Sequence, residues 1–267
     1  MVAEGLSPDD PDFDISGGDD VTALLLAEEW HFWHRARNRV ILRRLAGLGI
    51  LPGKKLLELG CGAGCVASAL AQAGYQVTGV EGHRPLVDVA CRRAHGAAFV
   101  CHDLRQGPPP LADAGAFDAV GLFDVIEHVE RPQGLLTTAL DLAAPTGMVI
   151  GTVPALMSLW SRIDEHAGHK TRYSRASLRT LLTNLGDVEV IEIGPFFRSL
   201  VPLVWVQRRV VGRHGDNSSA ARNLAVPWSP VNHLLDRLCA LEERFSPLWR
   251  VVDLPGASLW FALRRHS

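Results

Sequence analysis

A chain of 267 residues with 47% hydrophobic residues, 21% charged residues and a formal net charge of −2 suits one globular domain with additions and has no global pull toward nucleic acid. Its five cysteines are odd in number and show no C-x-x-C spacing, which argues against a disulfide or zinc framework. They read as reduced small hydrophobes of a cytoplasmic protein. No apolar run reaches the roughly 18 residues of a membrane span, and the first residues show no basic, apolar leader pattern.

Residues 1–20 carry Asp9, Asp10, Asp12, Asp14, Asp19 and Asp20, and such self-repulsion predicts an acidic disordered tail. Residues 21–267 are expected to form the domain. From Val21 to Leu48 the pattern is helical, with Trp33, Arg37, Val40 and Ile41 on one face. Pro52-Gly53 ends that element. Leu56 to Leu59 suits a buried strand and runs into Gly60, Gly62 and Gly64; a helix near 63–73 follows, with Val66, Leu70 and Ala73 on one side. Further strands are expected near 76–80, 97–101, 117–122 and 148–153, and helices near 84–94 and 132–143. Pro145-Thr146-Gly147 reads as a turn into the fifth strand.

Residues 154–172 read as a loop dense in ionisable groups. Ser174 reads as the N-cap of a helix through Leu178, Leu181 and Leu182 that Gly186 closes. The last two strands are expected over Val188–Ile193 and Ala257–Leu263. Alternating strands and helices predict an α/β fold, a Rossmann-like doubly wound sheet of seven strands. Between the last two strands lies an excursion over 194–255, expected to form a cap. It holds the apolar run Phe196 to Val206 followed by Arg208, Arg209 and Arg213, a polar break at 215–219, and a helix from Pro230. In that helix Leu234, Leu238, Leu241 and Phe245 make one stripe, expected to pack on the domain. The Phe196–Val206 run is interrupted by Arg198 and Pro202. It is expected to cover an acceptor pocket or to touch a membrane surface or lipid-linked substrate.

Three glycines in five residues at the C-terminal end of a strand place a ligand against bare backbone. The dinucleotide fingerprint has glycines at its first, third and sixth positions, but here the sixth is Cys65. Glu58, two residues before Gly60, would repel a pyrophosphate and attract an ammonium group. Glu81, after the next strand, can accept hydrogen bonds from both hydroxyls of a ribose. A ligand with a ribose, an ammonium group and no phosphate is S-adenosylmethionine.

Glu58 to Gly64 resembles the acid-x-Gly-x-Gly-x-Gly loop of the class I S-adenosylmethionine-dependent methyltransferases, with Glu81 and Asp103 at the positions of their following two acids. The resemblance runs from about Trp30 to Gly186. It implies that Glu81 meets the ribose and Asp103 the adenine amino group, and that Gly60, Cys61, Gly62, Gly64, Gly82, Leu104 and Phe123 line the cofactor. The aromatic-rich stretch from Glu29 to Asn38 is similar to the N-terminal helix that folds over the cofactor in many of these enzymes. There Arg37 would meet the cofactor carboxylate and Trp33 the acceptor.

The end of the fourth strand, Phe123 to Val129, resembles the branch that includes ubiquinone-biosynthesis O-methyltransferases. His128 is then the first candidate for a general base toward an acceptor hydroxyl. Glu127 with His128 is alternatively part of a divalent cation site. The Asp124–Glu127 spacing also fits a plain capping box. The stretch from Trp160 to Tyr173 is similar to a second family pattern, which puts His169 beside the acceptor as the other candidate base and Asp164 and Tyr173 at the substrate. Its spacing matches no metal motif, and no metal site is expected from it.

These expectations amount to methyl transfer to a small, partly apolar acceptor, most simply at oxygen. Transfer to carbon or nitrogen is the nearest rival, because a fold does not fix the atom methylated. A nicotinamide oxidoreductase is disfavoured by Cys65, and a non-catalytic scaffold by the intact Glu58, Glu81 and Asp103.

Overall fold

The computed structural model describes residues 28–211, 227–245 and 254–266. The acidic tail, the first turns of the helix expected from Val21 and the polar break at 215–219 lie outside these residues. Seven strands form one sheet in the order β3-β2-β1-β4-β5-β7-β6. They are β1 (Lys55–Leu59), β2 (Gln76–Glu81), β3 (Ala97–Cys101), β4 (Phe117–Phe123), β5 (Ala143–Pro154), β6 (Val188–Phe196) and β7 (Ser258–Arg265). The first five are parallel, and β7 runs antiparallel to both β5 and β6. This is the predicted seven-stranded α/β sheet. The chain winds outward from β1 to β3 and then returns to place β4 on the other side of β1. A crevice opens at such a reversal, outside the carboxyl ends of β1 and β4.

Strand residues alternate between two cores, as the period of a strand requires. Leu56, Ala119, Ile150, Trp260 and Ala262 face one core with α1 (Phe32–Gly47) and α2 (Cys65–Gln72). Leu57, Val120, Val149, Phe261 and Leu263 face the other with α4 (Pro132–Leu142) and α6 (Arg175–Thr183). The remaining helices are α3 (Arg84–Arg93), α5 (Arg162–His166), α7 (Val201–Val211) and α8 (Ser229–Arg244). Ser174 caps α6 as expected, its side chain accepting from Ser177 N. All five cysteines are free.

Three expectations are corrected. Pro145 to Gly147 is not a turn before β5 but part of it. The β4–β5 register shifts between Phe117, paired with Ala143, and Ala119, paired with Met148, and this irregularity takes up the intervening residues. The stretch 154–172 is not only loop, because α5 lies within it. Ser161 and Asp164 form a capping box there, with Ser161 N donating to Asp164 Oδ2 at 3.0 Å.

The third correction concerns α8. Its Leu234, Leu238, Leu241 and Phe245 stripe faces solvent rather than the domain. The cause is a row of arginines on α1, which draws the acids of α8 inward. Arg39 pairs with Asp236 at 2.8 Å, Arg35 with Asp236 at 3.5 Å, and Arg43 with Glu243 at 3.6 Å. Glu242 accepts from Arg198 N and Ser199 N at 2.8 Å each, and Asn232 Oδ1 accepts from Phe32 N at 2.9 Å. The Phe196–Val206 run is split in turn: Phe196, Phe197 and Leu200 are buried core, while Leu203, Trp205 and Val206 are exposed on α7.

Candidate active site

At the crevice, β1 turns into α2 through Gly60, Gly62 and Gly64, whose φ angles are 73°, 53° and 77°. L side chains resist this left-handed region, so the backbone favours glycine at each position. A Cβ added at Gly64 would lie 2.9 Å from Ala90 Cβ of α3, whereas one at Gly62 would meet nothing within 4 Å. Gly60 N and Cys61 N donate to Val80 O at 2.8 and 3.0 Å, which ties the loop to the end of β2. Glu81 accepts from Gly62 N and His83 N, each at 3.0 Å.

Glu58 is 3% exposed, and its Oε2 has no hydrogen-bond partner among the described residues. Burial pushes its carboxyl up to about 8, against the pull of Arg37 and with the help of Glu28. A buried carboxylate oxygen without a partner is costly unless a ligand supplies one. An ammonium group beside the open Gly62 backbone fits that requirement. At the edge of the crevice, a Cβ on Gly82 would come within 3.3 Å of Asp103 Cα, so the two acid-bearing loops abut. Asp103 caps a short turn, accepting from Arg105 N at 2.9 Å and pairing with the Arg105 guanidinium. Leu104 packs at the margin of the core, and the buried ring of Phe123 stacks near Trp260 with 6.5 Å between centroids.

α1 crosses this end of the sheet. Arg37 Nη1 donates to Asp124 Oδ2 at 2.6 Å, and Thr152 Oγ1 donates to Asp124 Oδ1 at 3.0 Å. Asp124 has φ 55°, a conformation uncommon in a residue other than glycine. This corrects the capping-box reading of Asp124 and Glu127. The turn over Ile126–His128 is capped by the backbone of Val125 with no side-chain bond, and Asp124 is turned instead toward Arg37. Trp33 leans on Phe197, with 4.4 Å between ring centroids.

Beyond Asp124 the fold brings together residues from two loops. Glu127 is fully buried, and neither of its carboxylate oxygens has a partner among the described residues; burial, reinforced by Asp124, pushes its carboxyl well up. His128 Nδ1 is also without a partner among the described residues. His169 meets His128 edge to face at 4.8 Å between centroids. The donor atoms of Glu127, His128 and His169 all lie within 4.8 Å of one another. Burial, then the neighbouring His169, pushes His128 down to about 3. His128 is therefore neutral at ordinary pH but a weak base.

His169 is held from behind. Its Nδ1 lies 2.9 Å from Asp164 Oδ1, which Arg172 Nε also reaches at 2.8 Å, while Arg208 of α7 bonds Asp164 Oδ2. In the neutral ring, a carboxylate there accepts the Nδ1–H and leaves Nε2 with the lone pair. Lys170 N donates to Glu127 O at 2.7 Å, so the loop bearing His169 is stitched to the turn bearing His128. Tyr173 is buried with its OH 3.4 Å from Ile126 O. Thr152 and the partnership of Arg208 with Asp164 escaped the sequence reading. Arg208 arrives from the far side of β6, and nothing in its local spacing marks it. One carboxylate and two imidazoles, one of them backed by an acid, are a donor set suited to a divalent cation.

A family model described as a methyltransferase domain matches residues 30–188. Ubiquinone biosynthesis O-methyltransferases are among the similar curated proteins. That of Coxiella burnetii (strain Dugway 5J108-111) is 32% identical over 134 residues, covering 46% of this chain and 55% of its own length. That of Xanthomonas campestris pv. campestris (strain B100) is 35% identical over 132 residues, covering 46% and 54%. The chain thus spans little more than half the length of these relatives. Two solved structures share the fold. Phosphoethanolamine N-methyltransferase 2 of Haemonchus contortus, in complex with S-adenosyl-L-methionine, has a TM-score of 0.56 at 17% identity, over 86% of this chain and 52% of that one. Geranyl diphosphate C-methyltransferase of Streptomyces coelicolor A3(2) has a TM-score of 0.54 at 15% identity, over 85% and 79%. With the strand order, the three-glycine loop and the acids at the carboxyl ends of β1, β2 and β3 in place, the match over most of the sheet is decisive: the chain belongs to the methyltransferase-domain family, as a class I, S-adenosylmethionine-dependent member.

Proposed function

We propose that this methyltransferase methylates a hydroxyl of a small, partly apolar acceptor, with His169 taking the hydroxyl proton. S-adenosylmethionine supplies a methyl group already activated on a sulfonium. Glu58 would hold its ammonium, the Gly60–Gly64 backbone its amino-acid part, Glu81 its ribose and Asp103 its adenine. Arg37, paired with Asp124, would face its carboxylate. The chain's own task is then to hold an acceptor oxygen in line and to relieve it of its proton. Proximity and orientation are worth roughly 7–11 kcal/mol of such a barrier.

The observation that carries the base assignment is the Asp164–His169 hydrogen bond of 2.9 Å, which leaves His169 Nε2 as acceptor against the neutral ring of His128. The acceptor O–H would pass its proton to that nitrogen as the oxygen attacks the methyl carbon. Similarity to O-methyltransferases at 32% and 35% identity supports oxygen as the nucleophile. A second reading is favoured by the unpartnered oxygens of Glu127 and the unpartnered His128 Nδ1. In it, Glu127, His128 and His169 hold a divalent cation that lowers the pKa of the acceptor hydroxyl.

A panel of catechols, hydroquinones and simple phenols, with matched amines, tests the reaction by mass spectrometry of the products. O-methyl products are expected, and products from amines alone would refute oxygen transfer. Repeating the assay with a chelator, then with added magnesium or manganese, separates the readings. Turnover indifferent to both belongs to the His169 base, and turnover abolished and restored belongs to the cation.

A further inference from the structure

α8 is built inside out. Its inward face carries the buried Cys239 together with Asn232, Asp236, Glu242 and Glu243, which are buried or nearly so and bonded to α1 and to the turn after β6. Its outward face carries Trp228, Val231, Leu234, Leu238, Leu241 and Phe245, exposed at 76%, 41%, 66%, 37%, 52% and 47%. Spacings of three and four residues align them in one stripe along the helix. So much aligned apolar surface is unusual on a domain whose surface faces only water.

The charges choose what covers it. His233, Arg237 and Arg244 are exposed on the outward side, and every acid of α8 is turned to the domain. A stripe of leucine and aromatics flanked only by basic groups complements a surface that is apolar beneath and anionic above. A second copy of the helix would fit poorly, since it would bring arginine toward arginine with no outward acid to pair. The helix has 16 residues, a length of about 24 Å. No helix among the described residues is long and apolar enough to cross a membrane, so α8 would lie flat.

We infer that the outward face of α8 docks on an anionic lipid bilayer, with Leu234, Leu238, Leu241 and Phe245 at the acyl boundary and Arg237 and Arg244 on lipid phosphates. The docking concerns α8 alone and stands whichever acceptor the enzyme methylates.

The test is co-sedimentation of the full chain with phosphatidylcholine vesicles, with and without phosphatidylglycerol. The chain is expected to sediment with the anionic vesicles, to remain in solution with the neutral ones, and to be released by salt. Leu234→Ser with Leu238→Ser and Phe245→Ser should weaken binding about tenfold or more. Arg237→Gln and Arg244→Gln should each weaken it about fivefold. These side chains are exposed, and unchanged circular dichroism and thermal melting would verify that the variants fold. Equal binding to neutral vesicles, no binding to anionic ones, or binding indifferent to these substitutions would overturn the inference. A concentration-dependent dimer that Leu238→Ser abolishes, without vesicle binding, would assign the face to a second copy and overturn it too.

Discussion

Asp164 Oδ1 lies 2.9 Å from His169 Nδ1, at the centre of a buried knot that also takes in Arg172 and Arg208. Burial opposes ionisation of Asp164, but His169, Arg172 and Arg208 outweigh it and hold the carboxyl at about 2, below the ordinary 3.8. One carboxylate thus orients the candidate base, anchors the loop after β5 and latches α7. Asp164→Asn leaves two arginines without their buried partner, and a loss of about 3–5 kcal/mol is expected from urea unfolding. The pH dependence follows from the depressed value. The stabilisation is fully present above 3.8 and is lost as pH falls toward 2. Melting curves of the wild type should show this acid-side loss, and those of Asp164→Asn should lack that portion of it.

Glu58 makes a prediction of the opposite sign. Its folded-state value of about 8 leaves it largely protonated at pH 7 without ligand. Among the described residues, Arg37, Glu28 and Cys61 are the titratable groups that interact with it. An ammonium group placed against it favours the carboxylate and lowers that value. Binding of S-adenosylmethionine at pH 7 should therefore release a proton, and affinity should rise from pH 7 to 8 and then level off. Calorimetry in buffers of different ionisation enthalpy reads the proton directly. Glu58→Gln should abolish the release, and release unchanged in that variant would show that the proton comes from elsewhere.

Two glycines of the loop should differ in cost. Gly62→Ala meets open space, so only its φ of 53° is penalised, by about 1–2 kcal/mol. Gly64→Ala adds a 2.9 Å approach to Ala90 Cβ and its displacement of α3, so it should cost roughly 1–3 kcal/mol more. Equal losses in denaturant titration would mean that α3 gives way freely.

The strand–turn–helix around Gly60 was legible because it is local: an apolar run, forced left-handed positions and an amphipathic helix are contiguous in the chain. The seven strands were legible for the same reason, except where β5 absorbs Pro145 to Gly147 through a register shift that only pairing with β4 creates. The His128–His169 contact was half legible. Both histidines stood out, but the burial that drives His128 to about 3 and the Asp164 bond that orients His169 come from tertiary contacts that no local spacing carries. Asp124 and Glu127 matched a capping box in spacing alone, and the positive φ of Asp124 breaks it. α8 misled for a general reason. A stripe of leucines is expected to point inward, but the arginine row of α1 recruits the acids of α8 and turns its leucines out. Nothing in the α8 segment by itself carries that information.

His169→Ala, followed by two assays on the same protein, tests the central claim most directly. The account predicts that calorimetry with S-adenosylmethionine gives wild-type affinity, because the proposal assigns His169 to the acceptor and not to the cofactor. It predicts that formation of S-adenosylhomocysteine with a hydroxyl acceptor falls by roughly 10²–10⁴-fold. Turnover close to that of the wild type, with cofactor binding intact, would contradict it and leave the His128–His169 cluster a structural feature of the loops.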